Sequence, residues 1–219
     1  MNSDTFIIAR AGWSALGVAF AAFVLFTLLG AGFLQLLSFL AILFIGFIYR
    51  NPERIVPYYQ PGSIVSVVDG SVTAIDTIET CELCKEPCYK IEITSGCMDT
   101  SILRVPFESD VSDLKISRGA RLDLKKPLAK ELNEKATLKF TGSAGEQMFV
   151  EHQLELSPAD IAINTNADHK HQQGARYGVM IKGVTTIYLP ANCRISLHVG
   201  DTVSAGETLM GYFCATDEQ

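Results

Sequence analysis

The chain has 219 residues, with 18 Lys and Arg against 24 Asp and Glu, and a formal net charge of −6. That acidic balance excludes a nucleic-acid partner, which needs a basic stripe. It also excludes docking on anionic lipid by bulk charge. From position 11 to position 49 there is no charged residue at all: AGWSALGVAFAAFVLFTLLGAGFLQLLSFLAILFIGFIY. One helix of that length would run about 58 Å at 1.5 Å per residue, nearly twice the hydrocarbon thickness of a bilayer. Two crossings, about 11–29 and 33–49, with a tight turn near Gly30-Ala31-Gly32, resolve the mismatch. The run exceeds the apolar stretch of a signal peptide, and no small-residue cleavage pattern follows it. Arg10 on one flank and Arg50 and Arg54 on the other place both ends on the cytoplasmic side. The alternative is a single crossing plus a re-entrant or interfacial piece, which Gln35 and Ser38 keep open by making the second half slightly less apolar. The expectation is a multi-pass protein of the inner, cytoplasmic membrane. Residues 1–50 form its anchor and residues 51–219 one domain on the cytoplasmic side.

Beyond the anchor the pattern is strand-like. IVSVVDGSVTAIDTI, YKIEITS, ATLKF, GVMIKGVTTIYL, CRISLHV and ETLMGYF are short runs rich in β-branched and aromatic residues, punctuated by Gly, Pro, Asp and Asn. Pro127 to Lys139 begins with some helical character. No nucleotide loop, no G-x-S-x-G elbow and no H-E-x-x-H helix occurs. The fold expected is mainly β: a transmembrane helical hairpin followed by one barrel- or sandwich-like domain.

Four of the six cysteines fall in CELCKEPCYKIEITSGC, as Cys81, Cys84, Cys88 and Cys97. C-x2-C on a loop lets two thiolates reach one tetrahedral metal, with zinc the first candidate and an iron–sulfur cluster the second. On a cytoplasmic domain disulfides are rare, which leaves metal or free thiols. If YKIEITSG is extended, Cys88 and Cys97 stand about 30 Å apart, so three cysteines with another ligand, or a thiol sensor, compete with the four-cysteine site. His169 and His171 flank Lys170 and read as solvated loop residues.

The phrase Tyr49 to Pro57 (YRNPERIVP), followed by Ser66-Val67-Val68-Asp69-Gly70-Ser71-Val72, resembles the phosphatidylserine decarboxylase family, in its short bacterial and archaeal type. The resemblance continues in order through Met98-Asp99, Arg104-Val105-Pro106, Gly174-Ala175-Arg176-Tyr177-Gly178, Tyr188-Leu189-Pro190 and the Val-Gly-Asp…Ala-Gly-Glu-Thr ending. It implies a proenzyme that cuts itself at a Gly-Ser bond. The serine becomes a pyruvoyl group, whose carbonyl takes the amine of phosphatidylserine as a Schiff base and draws off electrons as CO2 leaves. An aspartate and a histidine assist the cut, as a nucleophilic hydroxyl needs a base and the base an orienting group.

This chain matches the family aspartate with Asp69 but departs elsewhere. Ser101 falls where the resemblance calls for histidine, and a hydroxyl is no base near neutral pH. Where it calls for Gly-Ser, the chain has Gly183-Val184, or Gly183 itself in the serine's place when aligned from Pro190. Thr185 is the one rescue nucleophile in reach, and its elimination product would be a 2-oxobutanoyl group. No base is evident for it among the downstream His169, His171 and His198. The expectation is therefore an unprocessed, catalytically inactive decarboxylase-like protein of phospholipid metabolism, without a pyruvoyl group. It would bind a phosphatidylserine-like headgroup at a membrane. The alternatives are an active decarboxylase making phosphatidylethanolamine, or a cysteine-based metal or thiol sensor.

Overall fold

The computed structural model describes residues 7–57, 59–79, 83, 87–165 and 170–214. The chain divides into two compact units, Met1–Glu53 and Arg54–Gln219.

The first unit holds two apolar helices, α1 (Trp13–Leu28) and α2 (Gly32–Ile48). Gly30 turns the chain between them at φ 68°, a conformation that a side chain strains. The Phe23 and Phe39 rings pack with centroids 6.1 Å apart. At the other end the chain entering α1 is stitched to the chain leaving α2: the Ala9 amide donates to the Tyr49 carbonyl (2.9 Å) and the Asn51 amide to the Ile7 carbonyl (2.8 Å). Among the described residues, the stretch Arg10–Leu28 is the one helix long and apolar enough to cross a membrane; Gly32–Ile48 is apolar but shorter.

The second unit is mainly β. In chain order its elements are β1 (Ser63–Val65), β2 (Gly70–Ile78), β3 (Cys88–Ser95), β4 (Ile102–Arg104), β5 (Ser109–Ser117), α3 (Ala129–Leu132), β6 (Lys135–Gly142), β7 (Gln147–Leu154), β8 (Ala162–Ile163), β9 (Lys170–His171), β10 (Arg176–Val179), β11 (Gly183–Pro190), β12 (Cys193–Ile195), β13 (Thr202–Val203) and β14 (Leu209–Phe213). The large sheet runs β13-β2-β3-β11-β7-β6-β5-β9. Two small sheets, β1-β14-β12 and β4-β10-β8, accompany it. The expected barrel is not closed, because the large sheet ends on the two-residue strands β13 and β9.

The core follows from period-two alternation. In β7 the inward phase is Met148, Val150, His152 and Leu154, all fully buried. In β11 it is Gly183, Thr185, Ile187 and Leu189, and Ile91 and Ile93 do the same in β3. The inward faces of the large sheet close over Ile64, Leu103, Val105 and Tyr177 from the small sheets and their loops. His152 and Thr185 thus point into the core among these apolar side chains.

Candidate active site

Asp69 closes the loop before β2. Gly70 follows at φ 154°, where an added Cβ would lie 2.3 Å from the Thr94 carbonyl oxygen, so the strand can start there only with glycine. The Asp69 carboxylate is saturated with donors. Arg54 grips it with both terminal nitrogens (2.5 and 2.7 Å), the Ala205 amide donates at 2.7 Å and the Thr100 amide at 3.3 Å. Arg54 also donates to the Ala205 carbonyl (2.9 Å), and Glu207 lies 3.6 Å from its Nε. Burial raises the pKa of Asp69. Hydrogen bonds from Arg54 and the Ala205 amide, with the guanidinium charge, outweigh that and hold the carboxyl below its ordinary value. Asp69 is a fixed anion.

Segments far apart in the chain meet at this carboxylate. The Gly206 amide donates to the Ser66 carbonyl (2.7 Å), the Arg104 amide to the Val67 carbonyl (2.9 Å), and the buried Arg104 guanidinium to the Gly174 carbonyl (2.9 Å). Ser101 is buried beside it, and its carbonyl accepts the Met180 amide at 2.8 Å. The phrases at 66–72, 104–106, 174–178 and 205–208 all contribute to this junction.

Gly183 and Val184 open β11 one strand away. Gly183 pairs with Ser95 of β3 and Leu154 of β7, and Val184 with Thr94 and Gln153. The Ser95 hydroxyl donates to the Asp69 carbonyl at 2.6 Å, which brings Gly183 within one strand of the aspartate. A Cβ on Gly183 would stand 2.2 Å from the Gln153 carbonyl oxygen, so no side chain fits there.

Thr185 has a histidine within hydrogen-bond reach, and it is none of His169, His171 and His198. His152 Nδ1 lies 2.8 Å from Thr185 Oγ1, and His152 Nε2 lies 2.6 Å from the Tyr177 hydroxyl. All three residues are fully buried. Burial pushes the His152 pKa down to about 3 and that of Tyr177 well above 10, so both are neutral at ordinary pH. One signal for His152 lay in the sequence, at the inward phase of QMFVEHQL; its partner Thr185 was legible only from the strand register, which sets the two opposite each other.

Cys88 begins β3 and Cys97 lies two residues beyond its end, so the strand itself holds them apart. Cys81 and Cys84 lie outside the described residues. Among the described residues no three His, Cys, Asp or Glu side chains are grouped to hold a metal. His171 is bonded to Thr165 Oγ1 at 2.7 Å, and His169 lies outside the described residues.

The described residues thus hold two apolar helices, followed in the chain by a β unit in which a buried Asp-Gly loop lies one strand from a Gly-led strand. The family model for phosphatidylserine decarboxylase matches residues 40–211. The phosphatidylserine decarboxylase proenzyme of Syntrophus aciditrophicus is 30% identical over 220 residues, covering 97% of this chain and 100% of that protein. Those of Geotalea uraniireducens (30% over 212 residues, 96% and 99%) and Symbiobacterium thermophilum (30% over 208 residues, 94% and 95%) are similar. No solved structure matches. The chain belongs to the phosphatidylserine decarboxylase family.

Proposed function

We propose that this protein is a membrane-anchored, phospholipid-directed member of its family that remains one uncut chain and makes no pyruvoyl group. The observation that carries the reading is the start of β11. Where the family's resemblance calls for serine, the chain has Val184, which has no heteroatom to attack the preceding carbonyl. The other alignment puts Gly183 there, at a position with no room for a side chain. Ser101 in place of a histidine removes the base from the same junction, and Asp69 is held by Arg54 instead. Without a ketone there is no electron sink for decarboxylation. What remains is a scaffold to hold a phosphatidylserine-like headgroup.

The anchor is read as two crossings with both ends on the cytoplasmic side of the inner membrane. The stitching of residues 7–9 to 49–51 supports that, since it holds the two chain ends of the helix pair together. With Arg54 engaged by Asp69, the orientation rests on Arg10 and Arg50.

Denaturing electrophoresis and intact-mass measurement of the full chain test the reading. One species of 23.9 kDa is expected; a cut within 182–186 with a carbonyl-blocked new terminus refutes it. Phosphatidylserine vesicles should protect the β unit from proteolysis more than phosphatidylcholine vesicles do. Equal protection removes the headgroup assignment.

The second reading, an active decarboxylase, is favoured by one observation, the 2.8 Å approach of His152 to Thr185. Attack by Thr185 Oγ1 on the Val184 carbonyl would need that imidazole as a proton acceptor.

A further inference from the structure

The cluster His152–Thr185–Tyr177 holds three candidate hydrogens, on the phenol, the alcohol and one imidazole nitrogen, for two hydrogen bonds. Two arrangements exist. In the first, the Tyr177 hydroxyl donates to Nε2, and Nδ1–H donates to Thr185 Oγ1. In the second, the Thr185 hydroxyl donates to Nδ1, and Nε2–H donates to the phenol oxygen. Only the second makes His152 a base for the threonine.

The two differ in which hydrogen is left over. The first uses the phenol hydrogen and leaves the alcohol hydrogen; the second leaves the phenol hydrogen. A phenol is much the more acidic of the two and the stronger donor. Tyr177 and Thr185 are both buried without water access, so the unmatched hydrogen carries a desolvation cost, larger for the stronger donor. The alcohol hydrogen can also rotate about its C–O bond, whereas the phenol hydrogen is held near the ring plane. The first arrangement is the stable one.

We propose that Tyr177 fixes His152 as a hydrogen-bond donor to Thr185 and so keeps the Thr185 hydroxyl from attacking the Val184 carbonyl. Tyr177 is then a positioning residue that silences the one side-chain hydroxyl at the start of β11 with a histidine in reach. This rests on the reading that the chain stays uncut, and gives its reason at Thr185, where absence of a hydroxyl cannot be the explanation. Replacing Tyr177 by Phe removes the competing donor. Either tautomer then leaves Nε2 without a partner, and the bias toward Nδ1–H that the phenol imposes is gone.

The test is long-range 15N–1H NMR on the full chain in detergent micelles, labelled with 15N-histidine. His152 is assigned by removing His169, His171 and His198 in turn. In the unmodified protein, Nδ1 should resonate as a protonated, pyrrole-type nitrogen and Nε2 as a pyridine-type nitrogen. In Tyr177→Phe the Nδ1-protonated fraction should fall and the two signals should move toward each other. An Nε2-protonated His152 in the unmodified chain overturns the inference, whatever the fate of the variant. So does a folded Tyr177→Phe protein with the original pattern. Intact mass on the same sample separates the two claims. An uncut chain with Nε2-protonated His152 sinks the inference alone, and a chain cut before Thr185 sinks the proposed function.

Discussion

Asp69→Asn tests whether the carboxylate at the site is a structural anion. The side chains of Asp69 and Arg54 are each 12% exposed, and the carboxylate takes four hydrogen bonds, two from the guanidinium and two from backbone amides. An amide offers one acceptor oxygen in place of two and turns an NH2 toward donors. Arg54 is left beside Glu207 alone, at 3.6 Å. Removing one partner of a buried pair costs about 3–5 kcal/mol, and the residual exposure puts this case at the lower end, about 3 kcal/mol. At roughly 2–4 °C per kcal/mol for a domain of this size, the β unit should melt about 6–12 °C lower. Far-UV circular dichroism of the full chain in mild detergent reads the loss. A cycle with Arg54→Gln reads the coupling, since the double variant should recover part of it. The pH dependence has a definite sign. The pKa of Asp69 is lowered in the folded state, so its contribution is fully present above the unfolded value of 3.8 and lost as pH falls through the folded value. His152, buried neutral, weakens the fold as pH drops from 6.5 toward about 3 in both proteins, so the difference between them isolates Asp69. The deficit of Asp69→Asn should hold at pH 5–7 and shrink below pH 4. A deficit under 1 kcal/mol, or zero coupling to Arg54, would refute the clamp.

Gly183→Ala should cost about 3 kcal/mol in the same melt, because the new methyl meets the Gln153 backbone and β7 must shift. Val184→Ser, at a half-buried position, should cost only about 1 kcal/mol; the reverse order would mean that β11 is not packed as described. Native-state alkylation at pH 8 followed by peptide mapping should label exposed Cys214. It should spare buried Cys193, whose thiol burial and the neighbouring Cys214 push up to about 12, slowing it on the order of a thousandfold relative to a free thiol. Equal labelling of the two would refute that burial.

The uncharged run was legible because absence of charge over such a length needs no tertiary information. α1 and α2 fall within two residues of the expected helices. Strands with clean alternation, such as YKIEITS, were legible for the same local reason. β5 and β7 were not singled out: VSDLKIS and VEHQL carry too many polar residues to announce a strand, and they become strands by pairing with β6. GVMIKGVTTIYL reads as one strand but is two. The Met180 amide bonds to Ser101 while Gly183 pairs with Ser95 and Leu154, so the chain changes sheets between them. The site was half legible. Asp69 stood out through its Asp-Gly context, but its partner Arg54 read as a flanking charge of the anchor. His152 reaches Thr185 across 33 residues of chain, a relation fixed by strand register alone.

The two polar groups that could do chemistry here are both engaged by partners that this chain supplies. A carboxylate holding a bidentate guanidinium and two amides has no lone pair aimed at an imidazole, and position 101 offers no imidazole to receive it. The His152 imidazole stands on the other side of β11, inside the core, and is occupied at both nitrogens. Imidazole and carboxylate are thus separated by the strand that would have to be cut. Restoring a serine at 184 would supply a nucleophile with neither beside it in the required order. On the proposed reading, the valine at 184, the absence of an imidazole at 101 and the hold of Arg54 on Asp69 are three obstacles to self-cleavage, and reversing any one leaves the other two in place.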